Sequence, residues 1–160
     1  MTDEKALKPY QEKIINLMLR QETMLAELYR VFAAQFPQHA EFWNNLARDE
    51  EKHAGWLQQL YDASRNKVVL FSEGKLKTYT METMLKGLEE NLERAKAGEF
   101  DERQALSYTV DLERALIEKE LFTRFTGLTE KARGVMKFLA QETNKHQDLA
   151  HQLYLQGQKP

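Results

Sequence analysis

The sequence predicts an all-α fold, a four-helix bundle with a helical crossover between the second and third bundle helices. Three observations carry this reading. Proline occurs only at positions 9, 37 and 160 and there are seven glycines, so long stretches hold no helix breaker. Within those stretches apolar residues recur every three or four positions, as on one face of a helix. A stretch of the second helix also returns near the end of the chain: Leu46-Ala47…Lys52-His53…Gln59-Leu60-Tyr61 reappears as Leu139-Ala140…Lys145-His146…Gln152-Leu153-Tyr154, with seven of sixteen aligned positions identical.

The spacing predicts a first helix from Lys8 to Phe36, with Pro9 accommodated in its first turn and Pro37 stopping it. Its apolar stripe is Ile14, Ile15, Met18, Leu25, Tyr29, Phe32 and Phe36. The second helix is expected over 39–64, with Trp43, Leu46, Leu57, Leu60 and Tyr61 inward. Residues 65–77 lose the helical period, and Val68-Val69-Leu70-Phe71 reads as part of an extended crossover. Thr80 is the expected N-cap of an extra helix reaching Ala97, stopped by Gly98; its apolar face looks weak, which places it outside the bundle. With Asp101 as cap, the third bundle helix is expected over 102–125, and the fourth over 129–156 after the Gly127 break. Short connections at 37–38 and 126–128 then make two antiparallel hairpins.

A chain of 160 residues suits one domain, here taken as 1–160. The near-balance of 23 basic and 25 acidic side chains gives no basic stripe, so no nucleic acid is expected as a partner. No apolar run has the length of a membrane span, so no membrane partner is expected and the reading is a soluble, cytoplasmic protein. The absence of cysteine removes disulfides, thiol catalysis and cysteine-ligated metals together.

The candidate site residues are those that interrupt the apolar stripes. Glu22 lies between Met18 and Leu25, Glu50 and His53 between Leu46 and Leu57, Glu113 between Val110 and Leu116, and His146 between Leu139 and Leu153. Glu50 and His53 form a Glu-x-x-His pair that projects from one helix face. For any single buried acid an ion pair is the commoner arrangement, and Arg20, Arg30 and Arg114 are available for it. Three carboxylates and two imidazoles in matching places of a pseudo-twofold repeat point instead to divalent cations, since an unpaired buried charge costs several kcal/mol. The repeat breaks at one place: Thr143 stands opposite Glu50, and the nearest acid, Glu142, stands opposite Asp49. At about 100° per residue, Glu142 lies roughly 40° from His146 and Thr143 roughly 60° to its other side, so either can face inward. His39 in a turn and His151 off the face of His146 are expected to be exposed or to pack, and the aromatics are read as packing material.

The strings Glu22-x-x-Leu25-Ala26-x-x-Tyr29, Asp49-Glu50-Glu51-Lys52-His53-Ala54, Leu92-x-x-Ala95-Lys96-Ala97-Gly98-Glu99 and Ala105-Leu106…Leu112-Glu113 together resemble the rubrerythrin-like branch of the ferritin-like di-iron carboxylate superfamily, over about 10–156. The resemblance implies a ferritin-like bundle with iron as cofactor, manganese or zinc being alternatives. It implies Glu22 and His53 as terminal ligands of one ion, Glu50 as a bridge, and Glu113 and His146 as ligands of the other. The second bridging acid is expected at 143, where the chain has threonine, so Glu142 joins the metal set as its replacement. Peroxidase-type members carry a further acid one turn from the first in the third helix, and Val110 and Leu116 are apolar here. The implied activity is oxidoreductase chemistry on peroxide or oxygen, with electrons from an external redox protein and a homodimeric assembly. The alternative is a degenerate ferritin-like binding or structural protein that holds one metal or none.

Overall fold

The computed structural model describes residues 9–65, 69–71, 78–119, 125–127 and 130–156, and most side chains within them. Among the described residues five α-helices run in chain order: α1 Pro9–Gln35, α2 Ala40–Arg65, α3 Thr78–Lys96, α4 Glu102–Lys119 and α5 Glu130–Gln156. Helices α1, α2, α4 and α5 form the bundle, and α3 is the crossover. The fold is therefore the all-α four-helix bundle with a helical crossover that the breaker spacing and the stripes predict.

Pro9 stands in the first described turn of α1, where a missing N–H is tolerated. The helix closes before Phe36, which Pro37 pushes out of the helical region to φ −121°, ψ 72°. A single 3-10 turn, Pro37–His39, then reverses the chain into α2. The upper core is aromatic: the Trp43 ring lies 6.0 Å from Tyr29, 4.9 Å from Phe32 and 5.0 Å from Phe42. All but the last of these are fully or almost fully buried.

The crossover helix corrects one expectation. Its apolar face is a complete stripe: Met81, Leu85, Leu88, Leu92 and Ala95 are all buried, and α3 packs along α1. The stripe is hard to see in the sequence because Glu82, Lys86, Glu89, Glu90 and Glu93 separate its members on the exposed side. Ion pairs Lys13–Glu82 at 2.6 Å and Lys96–Glu27 at 2.8 Å flank the seam. The helix starts at Thr78, two residues before the expected cap. It ends as the sequence predicts, with Gly98 at φ 77° and with the Gly98 and Glu99 amides bonded to the Ala95 and Arg94 carbonyls. α4 then begins in a reciprocal cap: Asp101 accepts from the Gln104 amide at 2.7 Å, and Gln104 accepts from the Asp101 amide at 3.0 Å.

A second correction concerns the end of α4. The helix is described as far as Lys119, residues 120–124 lie outside the described residues, and Phe125, its expected last residue, opens a strand, β2 Phe125–Gly127. It pairs antiparallel with β1, Val69–Phe71, in the register Val69↔Gly127, Leu70↔Thr126 and Phe71↔Phe125. The extended piece after α2 needs partners for its backbone groups, and a β-capable stretch after α4 supplies them. The two hairpins are thus tied at the lower end of the bundle, and the stretch expected as a short turn at 126–128 is part of this strand pairing at Thr126 and Gly127. Among the described residues no helix is long and apolar enough to cross a membrane.

Candidate metal centre

Each bundle helix delivers its polar interruption to the same level. Glu22 from α1, Glu50 and His53 from α2, Glu113 from α4 and His146 from α5 are all at most 2% exposed, within a core that includes Met18, Leu25, Leu46, Leu57 and Val110. The helical period alone accounts for this, because each residue lies one turn from apolar residues that have to be inside.

Glu50 occupies the middle of the cluster. Its Oε1 lies 2.9 Å from Nδ1 of His146 and its Oε2 lies 3.3 Å from Nδ1 of His53. The two imidazoles stack, with centroids 5.3 Å apart and planes inclined at 25°. Glu22 Oε2 stands 3.7 Å from His53 Nδ1, and Glu113 Oε1 stands 3.6 Å from His146 Nδ1, within ion-pair reach and too far for hydrogen bonds. The arrangement therefore has two halves, Glu22 with His53 and Glu113 with His146, and Glu50 faces both. Glu50, His53 and His146 each offer a ligand atom, and the three atoms lie within 4.8 Å of one another.

Two residues outside the expected set complete the centre. Asp49 Oδ2 lies 3.0 Å from His146 Nε2, so the outer nitrogen of that ring is held while the inner one faces Glu50. The phenol of Tyr29 donates to Glu113 Oε1 at 2.7 Å. Tyr29 sits two turns after Glu22 on the same stripe, a spacing that could have suggested this role. Asp49 had a weaker signal, its place beside Glu50 and opposite Glu142 in the repeat. The side chains of Glu142, Thr143, Leu139 and Leu116 lie outside the described residues, although their backbones belong to α5 and α4. His39 is half-buried at the upper turn and His151 is exposed, both away from the cluster.

The electrostatics are those of a centre built for cations. Burial pushes the carboxyl of Glu22 up, and the charge of Glu50 adds to it; burial and Glu50 likewise raise Glu113. Burial would also raise Glu50, but hydrogen bonds from Glu22, His146 and His53 outweigh it and hold that carboxylate well below the usual range. The histidines respond in the opposite sense. Burial disfavours their charged forms, yet Glu22 and Glu50 hold His53 up to about 10, and Asp49, Glu113 and Glu50 hold His146 up to about 12.

The arginines that could have neutralised the acids are engaged elsewhere or exposed. Arg20 reaches Glu89, Arg30 binds Glu51 and Asn44, and Arg114 is exposed. Among the described residues no Lys or Arg pairs with Glu22, Glu50 or Glu113. Buried Glu22 Oε2, Glu113 Oε2 and His53 Nε2 have no hydrogen-bond partner among the described residues. Orphaned carboxylate oxygens beside imidazole nitrogens, with protons supplying the positive charge, are the donor set that a divalent cation of mixed oxygen and nitrogen preference fits.

A carboxylate–histidine centre inside a ferritin-like bundle defines the class. The family model for rubrerythrin matches residues 13–154, and the chain belongs to the rubrerythrin family. No curated protein and no solved structure matches it.

Proposed function

We propose that the chain is a rubrerythrin-type non-haem iron protein that reduces peroxide or oxygen with electrons from a separate redox protein. The observation that carries this reading is Glu50 facing both histidines, one oxygen to each, inside a family whose fold is a metal scaffold. Glu22, Glu50 and His53 would hold one ion. Glu50, Glu113 and His146 would hold the other, with Glu142 as the further acid from α5. Bound iron would supply the electrons and the Lewis acidity for cleaving an O–O bond. The protein's own share is positional. Asp49 fixes the His146 ring, Tyr29 fixes one oxygen of Glu113, and the apolar shell keeps bulk water from the buried acids.

A groove between α2 and α5, lined among others by Arg48, Asp49, Lys52 and Lys145, brings solvent to the outer edge of Asp49. It is the approach we assign to a small polar substrate. Exposed Phe138, Leu149 and Leu155 on α5 support a homodimer. We place the protein in the cytoplasm, where reductants for such chemistry are available. Iron-loaded protein should consume peroxide stoichiometrically in a single turnover; loaded protein that leaves peroxide intact would overturn the reading.

A second reading keeps one specific observation. Thr143 stands opposite Glu50 in the repeat, and among the described residues the ligand atoms that converge within 4.8 Å are those of Glu50, His53 and His146. A bundle that holds a single ion and binds without turning over would have this composition. Metal titration separates the two, because the enzyme reading requires a second ion.

A further inference from the structure

Tyr29 and Trp43 share a feature that packing does not require: each presents its only N–H or O–H donor to a carboxylate. The Tyr29 phenol donates to Glu113 Oε1 at 2.7 Å, and the Trp43 indole Nε1–H donates to Glu102 Oε2 at 3.3 Å. Their rings are neighbours, with centroids 6.0 Å apart. Tyr29 ends at the buried centre. Glu102 ends at the upper surface, where His39 Nδ1 meets its other oxygen at 2.6 Å in a pocket that Arg103 and Tyr154 also line. The remaining rings around Trp43, Phe32, Phe36 and Phe42, are phenylalanines, which are far harder to oxidise.

We propose that Trp43 and Tyr29 form an electron relay between the His39–Glu102 surface pocket and the buried carboxylate–histidine centre. The inference rests on the peroxide or oxygen reading for its physiological use. A phenol or indole that loses an electron becomes a strong acid, so oxidation inside a protein needs a proton acceptor in place. In each hop Tyr29 gives one electron inward and its phenolic proton to Glu113. Trp43 then gives one electron to the tyrosyl radical and its Nε1 proton to Glu102, while Tyr29 recovers its proton from Glu113. A one-electron donor at the surface pocket reduces the indolyl radical, and Glu102 returns the proton. Two such passages, with two protons from solvent, match the reduction of one hydrogen peroxide to two waters. Every electron that enters leaves, and both aromatic side chains are restored.

The test uses the full chain freed of metal, so that it does not depend on turnover. A photo-excited ruthenium polypyridyl complex, quenched irreversibly by a cobalt(III) ammine, leaves ruthenium(III) in solution, which takes one electron from the protein surface. Electron paramagnetic resonance then reads the radicals. The part of the tyrosyl signal that Tyr29→Phe removes should also be lost in Trp43→Phe and return in Trp43→Tyr, which restores an oxidisable ring. Glu102→Gln keeps the packing and should slow the appearance of that signal. The relay is overturned if Trp43→Phe leaves the Tyr29 radical unchanged, or if Trp56→Phe, near His53, removes it instead. It is also overturned if wild type forms no radical at Tyr29. Protein that passes this test but leaves peroxide intact when iron-loaded would retain the relay and refute the peroxide reading; protein that reduces peroxide and fails this test would do the reverse.

Discussion

Glu50 and His146 meet at 2.9 Å although they are 96 residues apart, and this contact joins the two helical hairpins at the buried centre. Breaking it leaves two raised imidazoles facing an incomplete set of acids. Glu50→Ala should therefore destabilise the metal-free protein by about 3–5 kcal/mol, the usual cost of stranding a buried charge. It should also abolish binding at both ion positions. Urea unfolding and metal analysis on one preparation check both halves, and a variant of wild-type stability would show that the contact carries no energy.

The raised histidines set a pH dependence with a definite sign. A group whose folded pKa lies above its unfolded value of about 6.5 contributes fully below that pH. The contribution is lost as pH rises through the folded values, here about 10 for His53 and about 12 for His146. Glu50 is held down, so its contribution is present above about 4.5 and is lost as the solution is acidified. Metal-free protein should be most stable between these limits and weaken steadily on the alkaline side. Metal binding should release protons and tighten with pH. Thermal unfolding across pH, with and without metal, reads both; metal-free stability that climbs with alkalinity contradicts the assignment.

Asp49→Asn should act on one half of the centre. The residue holds the outer nitrogen of His146 and lies partly exposed, so the bundle should tolerate the change. Affinity at the His146 position should fall by roughly 10–100-fold, as for other lost partners of metal-ligating histidines. The position served by Glu22 and His53 should change little. Equal weakening of both in a calorimetric titration would refute the asymmetry.

Much of this was legible in the sequence because it is a matter of period. Glu22, Glu50, His53, Glu113 and His146 each break an apolar stripe, and a helix converts that break into convergence on one level. What was not legible depends on partners far along the chain. The β1–β2 pairing joins residues 69–71 to 125–127, and the bond from Tyr29 to Glu113 spans 84 positions. A tyrosine on an apolar stripe looks like packing material until the acid opposite its hydroxyl is known. The strand at Phe125 was hidden for a local reason, since no glycine or proline stands between Gly98 and Gly127. The face of α3 was hidden by the charged residues between its buried positions.

The substitution at 143 separates a lost function from an altered one. If the acid opposite Glu50 has simply gone, Thr143→Glu should add a carboxylate, raise metal uptake and increase peroxide consumption, while Glu142→Gln has little effect. If Glu142 has taken that place, Glu142→Gln should abolish the second ion, and Thr143→Glu should bring a competing buried charge that costs several kcal/mol if unpaired. Metal content and unfolding of the two variants decide between them. No change in either would remove α5 carboxylates from the account.

The central claim is that Glu50, between His53 and His146, is the middle of a metal centre. Anomalous X-ray scattering at the iron edge, from crystals of protein produced in iron-rich medium, tests it most directly. The account predicts an anomalous peak within bonding distance of Glu50 and of at least one of the two histidines, lost in Glu50→Ala. A crystal with no peak there, and with both imidazoles still hydrogen-bonded to Glu50, would contradict it and leave the bundle as a proton-filled scaffold.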